Sequence, residues 1–369
     1  MKICVVLHKY NNSIDDPCCY PLGFMYISSS LKQAGHDVKV LNYNLWKYKF
    51  IEEVKDCDIV LFTGFESFLQ SIIFHAEKCK ELKIKTILGG ALATFKREDM
   101  LKYVDTVVIG EGDNAVHKAL TCNGVLYGAR SDVNKLPFPD YEGFGIDEYN
   151  KRHKVRYMSI LTSRGCPFSC TFCAQTCAYQ ERNLDSVFNE IDLYISKYNI
   201  ELLTVIDNTL NIKKDRFLQF CAGMKERKLY WGSSIRCDNF DEEMASAAKE
   251  SYCHYLVVGV ESLVQSKLDF MNKKITTEQI INTLELLHEY DIKYHANILL
   301  GFENETYSDI AREVSHIPSG YNLIPAIVQP YIGTKNGKTR LITKQEESFL
   351  SNTFKDYAAN KNLVYMEAI

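Results

Sequence analysis

Arg164-Gly165-Cys166-Pro167-Phe168-Ser169-Cys170-Thr171-Phe172-Cys173 carries three cysteines in a C-x3-C-x2-C array, directly after the apolar run Tyr157-Met158-Ser159-Ile160-Leu161. Three thiolates this close on one loop suit three irons of a 4Fe–4S cluster and leave the fourth iron open to an outside ligand. Plainer readings are a set of small buried hydrophobes or zinc ligands. Zinc sites favour pairs separated by a longer insert, with a fourth Cys or His, and no second C-x2-C or H-x3-H pair follows here. Cys177 is near enough to be a fourth ligand, but its four-residue offset suits a position outside the loop. Position favours the cluster, because cofactors of barrel-like α/β folds sit on loops leaving the C-terminal ends of strands.

The array, with the aromatic Phe172 before its last cysteine, resembles the signature of the radical S-adenosylmethionine (SAM) superfamily. The resemblance implies that Cys166, Cys170 and Cys173 ligate the 4Fe–4S cluster and that the open iron binds the amino and carboxylate groups of SAM. One electron, from an external donor of flavodoxin or ferredoxin type, then cleaves SAM to a 5′-deoxyadenosyl radical.

Residues 157–369 alternate strand and helix patterns six times, which predicts an open, partial (β/α)6 barrel with a last helix near Lys344–Ala359. Catalysis in such folds gathers at the strand ends. Candidates for SAM there are Phe172, Asp207, Ser233, Arg236, Glu261 and Gly301. Asp207 can equally cap the turn that follows it. Arg236 can fork onto the SAM carboxylate, or pair with Asp238 instead. Gly259-Val260-Glu261-Ser262 resembles the superfamily's G-x-E-S motif, and its Glu261 is expected at the SAM amino group or ribose. Gly301 begins a turn like the family's G-E-T element beside adenine, with Asn304 in place of glycine. Gln329–Thr334 is similar to P-x-P-G-T, with Ile332 in place of proline.

Residues 1–125 read as a doubly wound, Rossmann-like domain. Apolar runs at Ile3–Leu7, Val38–Leu41, Ile59–Phe62, Thr86–Leu88 and Thr106–Ile109 alternate with helical patterns, implying a parallel sheet covered on both faces. Three glycine-bearing loops fall beyond strand ends, where such sheets take ligands: Thr63-Gly64-Phe65-Glu66-Ser67, Gly89-Gly90 through Ala93-Thr94, and Gly110-Glu111-Gly112. Tight turns alone would also place glycines there. Pro21–Ile27, Leu31–Val38, Gly89–Thr94 and Val107–Gly112 resemble the cobalamin-binding domain that precedes many radical SAM domains. The resemblance implies cobalamin held by these three loops, with Phe65, Glu66 and Phe68 near the lower corrin face. The D-x-H-x-x-G loop that gives cobalt a histidine is absent, since the first strand runs into His8-Lys9-Tyr10-Asn11. Residues 126–156, rich in proline, glycine and aromatics around Leu136–Gly145, read as a linker.

Of 369 residues, 46% are hydrophobic and 24% charged, with a net charge of −4. That balance lacks the basic footprint of a nucleic-acid binder. No apolar run approaches a membrane span, and the first strand lacks the form of a signal peptide. Thirteen cysteines without an export signal read as reduced thiols in a cytoplasm. Together these features lead to the expectation of a cobalamin-dependent radical SAM methyltransferase acting on an unactivated carbon, or on phosphorus, of a peptide, protein or natural-product substrate. Alternatives are radical rearrangement, cyclisation or oxidation without methyl transfer, and a non-catalytic SAM or cobalamin binder. Methylthiolation is disfavoured, because no second cysteine triad is evident in residues 1–125. The substrate itself is not legible.

Overall fold

A computed structural model describes residues 1–9, 20–152, 155–174, 177–302, 305–315, 323–327 and 348. The chain divides into two compact units, Met1–Lys154 and Val155–Ile369.

The first unit is built from β1 (Lys2–Leu7), α1 (Leu22–Gln33), β2 (Asp37–Asn42), α2 (Phe50–Val54), β3 (Ile59–Thr63), α3 (Leu69–Glu81) and β4 (Lys85–Gly89). It continues through α4 (Gly90–Phe95), α5 (Arg97–Met100), β5 (Thr106–Gly110), α6 (Gly112–Ala119), β6 (Gly124–Gly128) and α7 (Ile146–Arg152). All strand pairings are parallel, in the order β2-β1-β3-β4-β5-β6. Ile3 to Leu7 are buried without alternation, as a strand covered on both faces requires. The chain reverses direction across the sheet between β1 and β3. The loops leaving those strands therefore diverge and open a crevice at their carboxyl ends.

Strand β6 lies beyond the five read from the sequence. Its five residues include two glycines and are not fully buried, so neither apolar run nor period marks it. Gly128 is required there, because a Cβ would lie 1.7 Å from the Glu111 carbonyl oxygen. The proline-rich stretch after it folds onto the same unit. Tyr141 and Phe144 are buried, Asp140 accepts from Ser28 Oγ and Lys32 Nζ, both at 2.6 Å, and Asn42 Nδ2 donates to the Phe144 carbonyl at 3.0 Å.

The second unit comprises β7 (Tyr157–Ile160), β8 (Ser163–Arg164), β9 (Gln180–Glu181), α8 (Leu184–Tyr198), β10 (Leu202–Val205), α9 (Lys214–Arg227), β11 (Tyr230–Arg236) and α10 (Glu242–Glu250). Then come β12 (Cys253–Glu261), α11 (Gln265–Phe270), α12 (Thr277–Glu289), β13 (Lys293–Leu300), α13 (Tyr307–Ser315) and β14 (Leu323–Ile327). Its main sheet is parallel and sequential, β14-β13-β12-β11-β10-β7, the partial (β/α)6 barrel expected. Helix α8 starts on the Asn183 cap and stops at left-handed Asn199. Helix α12 starts in a capping box of Thr276 and Gln279. Trp231 is fully buried and meets Phe217 and Phe220 of α9 edge-on, which fixes the outward face of β11. The Gln329–Thr334 motif and the last expected helix lie outside the described residues, apart from Ser348, which is helical.

Candidate active site: the cysteine loop and its supports

The cysteine loop is clasped at its base by the short antiparallel pair β8–β9, with Ser163 opposite Glu181 and Arg164 opposite Gln180. Gly165 begins the loop at φ +79°, and a Cβ there would lie 2.5 Å from the carbonyl oxygens of Cys177 and Ala178. Only glycine meets both demands. The root is held from below by Asp207, just past the end of β10. Its Oδ1 accepts the Thr162 amide at 2.7 Å, and its Oδ2 accepts the hydroxyls of Thr162 and Ser163 at 2.5 and 2.6 Å. Burial raises the Asp207 pKa, against the opposing pull of these hydrogen bonds. Arg182 and Arg216 add bonds to the Leu161 and Thr162 carbonyls at 2.7 and 2.9 Å, and buried Glu190 neutralises Arg182 at 2.6 Å.

The loop's flank rests on the segment after α11. The Thr171 amide donates to the Met271 carbonyl at 2.9 Å, and Asn272 Nδ2 donates to both oxygens of Ser169 at 2.9 Å. Beneath the loop lie two cations. The Arg236 guanidinium sits 3.7 Å from the centroid of the Phe168 ring, and Lys273 Nζ 5.8 Å from that of Phe172. Each is paired: Arg236 forks onto Asp238 with two bonds of 2.9 Å, and Lys273 meets Glu261 at 2.9 Å. Arg236 Nη1 also reaches Cys170 Sγ at 3.8 Å.

These contacts give the sequence candidates particular roles. Asp207 binds the loop root. Arg236 takes the pairing with Asp238 through Nε and Nη2, and its Nη1 faces Cys170 Sγ. Glu261 has φ +69°, a conformation rare outside glycine that concentrates at functional sites, and its carboxylate is held by Lys273. Gly259 makes this possible, because a Cβ there would crowd Lys273 Nζ at 2.8 Å. Ser233 is buried, donates to the Val205 carbonyl at 3.1 Å, and shares a strand face with Trp231 and Ile235. By alternation, Ser234 faces the opposite, barrel-interior side. Gly301 has φ +92°, and its amide donates to Glu305 Oε2 at 2.5 Å. The half-buried Phe172 lies in the loop itself. Residues the sequence did not single out include Phe168 and Arg182; their contacts come from distant segments with no local signature.

The residues fit a cluster. Cys166 and Cys170 are half-buried free thiols and Cys173 is exposed, all on one clasped loop with compensated cations beside it. Among the described residues no three His, Cys, Asp or Glu converge as a single-ion site would. A cluster does not ask for that, since each cysteine ligates a different iron.

In the first unit, the loops expected around cobalamin are joined to one another. Thr63 Oγ1 donates to the Gly89 carbonyl at 3.4 Å, Leu92 N to the Gly64 carbonyl at 3.0 Å, and Gly110 N to Thr94 Oγ1 at 3.3 Å. Gly90 has φ +83° and no room for a Cβ, which would lie 2.4 Å from Thr63 Oγ1. Helices α4 and α6 begin at Gly90 and Gly112, so backbone amides point to this edge. Phe65 is 56% exposed there and Ser67 is exposed. Ala93 and Phe68 are buried in the core instead, and Glu111 Oε2 accepts the Ser131 amide at 2.9 Å. Glu66 opens a short 3-10 turn, Glu66–Phe68. His8, at the end of β1, is turned into the unit, with Nε2 2.9 Å from His75 Nδ1 of α3. An edge of tied glycine loops and helix N-termini, open to an extended polar ligand, suits cobalamin.

Fold and site together define a two-domain α/β enzyme in which a dinucleotide-type sheet precedes a partial barrel bearing a three-cysteine cofactor loop. Comparison with known proteins agrees. The Radical SAM superfamily model matches residues 160–317, and the B12 binding domain model matches residues 16–120. An uncharacterized methyltransferase of Pyrococcus horikoshii is 26% identical over 356 residues, covering 85% of this chain and 77% of that protein. The anaerobic magnesium-protoporphyrin IX monomethyl ester cyclase of Rubrivivax gelatinosus is 27% identical over 338 residues, covering 78% of this chain but only 60% of the cyclase. In fold, the chain is similar to the radical SAM methyltransferase TsrM of Kitasatospora setae, with TM-score 0.73 and 17% identity over 90% of this chain and 75% of TsrM. It is also similar to the cobalamin-dependent radical enzyme OxsB, with TM-score 0.71 and 15% identity over 98% of this chain and 56% of OxsB. The chain belongs to the radical SAM superfamily, in its cobalamin-binding branch, and its cofactors are a 4Fe–4S cluster, SAM and cobalamin.

Proposed function

We propose that this enzyme is a cobalamin-dependent radical SAM methyltransferase acting on an unactivated carbon, or on phosphorus, of a peptide, protein or natural-product substrate. The observation that carries the reading is the coexistence in one chain of the clasped cysteine loop and the tied glycine edge. When bound, the cluster and SAM supply hydrogen-atom abstraction and cobalamin supplies a transferable methyl group.

The chain's own residues position and shield. Cys166, Cys170 and Cys173 would hold the cluster, on a loop fixed by Asp207, Arg182 and Asn272. Glu261, Ser234 and the backbone at Gly301 stand at the strand ends where SAM would lie. Thr63, Gly64, Gly89, Gly90, Thr94, Gly110 and Gly112 offer backbone and hydroxyl groups to cobalamin, and Phe65 an exposed apolar face. The reductant is proposed to be a flavodoxin or ferredoxin. No nucleic-acid or membrane partner is part of the reading; among the described residues no helix is long and apolar enough to cross a membrane. A cytoplasmic setting suits the free buried thiols Cys4, Cys79, Cys221 and Cys237.

Cyclisation or oxidation without methyl transfer is the second reading, favoured by the similarity to the magnesium-protoporphyrin ester cyclase. The test is anaerobic reconstitution with iron, sulfide and hydroxocobalamin, followed by metal analysis and product mass in the presence of SAM. About four irons and one cobalt per chain, with methyl added to a product, support methyl transfer. Iron without cobalt overturns it and leaves the second reading.

A further inference from the structure

We infer that Arg236 and Asp238 form a charge couple that sets the reduction potential of the cluster, with the arginine raising it through Cys170. The inference rests on the cluster reading of the cysteine loop and goes beyond it.

Arg236 is only 5% exposed and is gripped on several sides. Its amide donates to Asn211 Oδ1 at 2.9 Å, and its Nη2 donates to the Lys273 carbonyl at 2.8 Å as well as to Asp238. The fork onto Asp238 uses Nε and Nη2, which turns Nη1 toward Cys170 Sγ at 3.8 Å while the plane lies over Phe168. Guanidinium remains charged in proteins. The side chain therefore cannot relax away from the sulfur without breaking the fork or the ring contact.

Hydrogen bonds to ligating sulfurs and nearby charge are the protein's means of setting cluster potentials. Reduction adds one negative charge. A buried cation donating to a ligand sulfur favours the reduced state and raises the potential. Asp238 opposes this by neutralising part of the cation. The two residues thus act with opposite sign although they are bonded to each other, and that opposition separates tuning from scaffolding. A scaffold broken from either side would shift the potential in one direction, or not at all.

The experiment is a redox titration of the anaerobically reconstituted full chain without SAM, following the reduced-cluster EPR signal, with iron and sulfide counted for each variant. Arg236→Gln is expected to move the midpoint to more negative values and Asp238→Asn to more positive values, with Arg236→Lys between wild type and Arg236→Gln. Where Arg236→Gln fails to retain iron, Arg236→Lys and Asp238→Asn decide the question by the same opposite signs. Unchanged midpoints in iron-replete variants, or shifts of Arg236 and Asp238 variants in one direction, would overturn the inference. A wild-type chain that takes up no iron would sink the cluster reading itself, a distinct result.

Discussion

Asp207 holds Thr162 at two points, accepting its amide at 2.7 Å and its hydroxyl at 2.5 Å, and so joins the end of β10 to the root of the cysteine loop. This carboxylate is 3% exposed, and among the described residues no cation is bonded to it. Its replacement by Ala would leave three buried donors unsatisfied, costing about 3 kcal/mol. The measurable outcome is a lower thermal midpoint and fewer irons per chain after reconstitution. Asp207→Asn, which keeps two acceptor lone pairs, should fall between Ala and wild type in both.

Gly165 is the second place where the loop has one solution. Gly165→Ala meets a left-handed φ and two carbonyl oxygens at 2.5 Å. The expected cost is about 2–4 kcal/mol, with loss of iron binding while far-ultraviolet circular dichroism stays near wild type. Full iron retention in this variant would contradict the loop geometry.

Glu313 of α13 does for the Glu261 turn what Asp207 does for the cysteine loop. It is 2% exposed and accepts Ser262 Oγ at 2.8 and 2.9 Å and the Leu263 amide at 2.7 Å, with Lys267 Nζ 3.6 Å away. Glu313→Ala is expected to destabilise the second unit by about 2–4 kcal/mol, read by urea unfolding. Affinity for SAM should weaken in parallel, measured by isothermal titration on the reconstituted protein. Glu313→Gln should recover part of both.

The His8–His75 pair makes the first unit acid-sensitive. Burial, then the neighbouring His75, lowers the His8 pKa to about 3, and burial lowers that of His75 to about 4, both from 6.5. The folded unit keeps the rings neutral while the unfolded chain protonates them below 6.5. Their contribution is therefore complete above that pH and is lost as pH falls toward 4. At pH 5 the loss is about 2 kcal/mol per histidine. Thermal unfolding of the wild type should drop between pH 7 and pH 5. A His8→Phe, His75→Leu double variant should show a flatter profile, and an equal drop in both would remove the pair as its cause.

Much of the fold was legible because parallel α/β architecture writes itself locally. Buried strands such as Ile3–Leu7 are continuous apolar runs, and α8 and α12 carry their own caps in Asn183 and Thr276. β6 leaves no such mark, because an edge strand that begins and ends on glycine needs no apolar run. The site was legible only in part. Ser233 and Ser234 are neighbours in sequence, and which one faces the barrel interior depends on strand register, fixed here by Trp231 against α9. Ala93 resembled a loop residue by its glycine neighbours but lies in the core.

The sequence by itself determined the class of the protein, because the cysteine spacing, the strand-helix alternation and the glycine loops are short-range patterns whose chemistry needs only neighbours along the chain. Only the tertiary structure decided what the isolated polar residues do. Arg236 and Asp207 each had a ligand or a structural partner open to them, and Glu261 was expected at SAM alone. Asp207 takes the Thr162 amide 45 positions away and Glu261 takes Lys273 12 positions on, whereas Arg236 takes Asp238 two residues along, since a charge or carboxylate taken from water is stable only where folding brings it a partner.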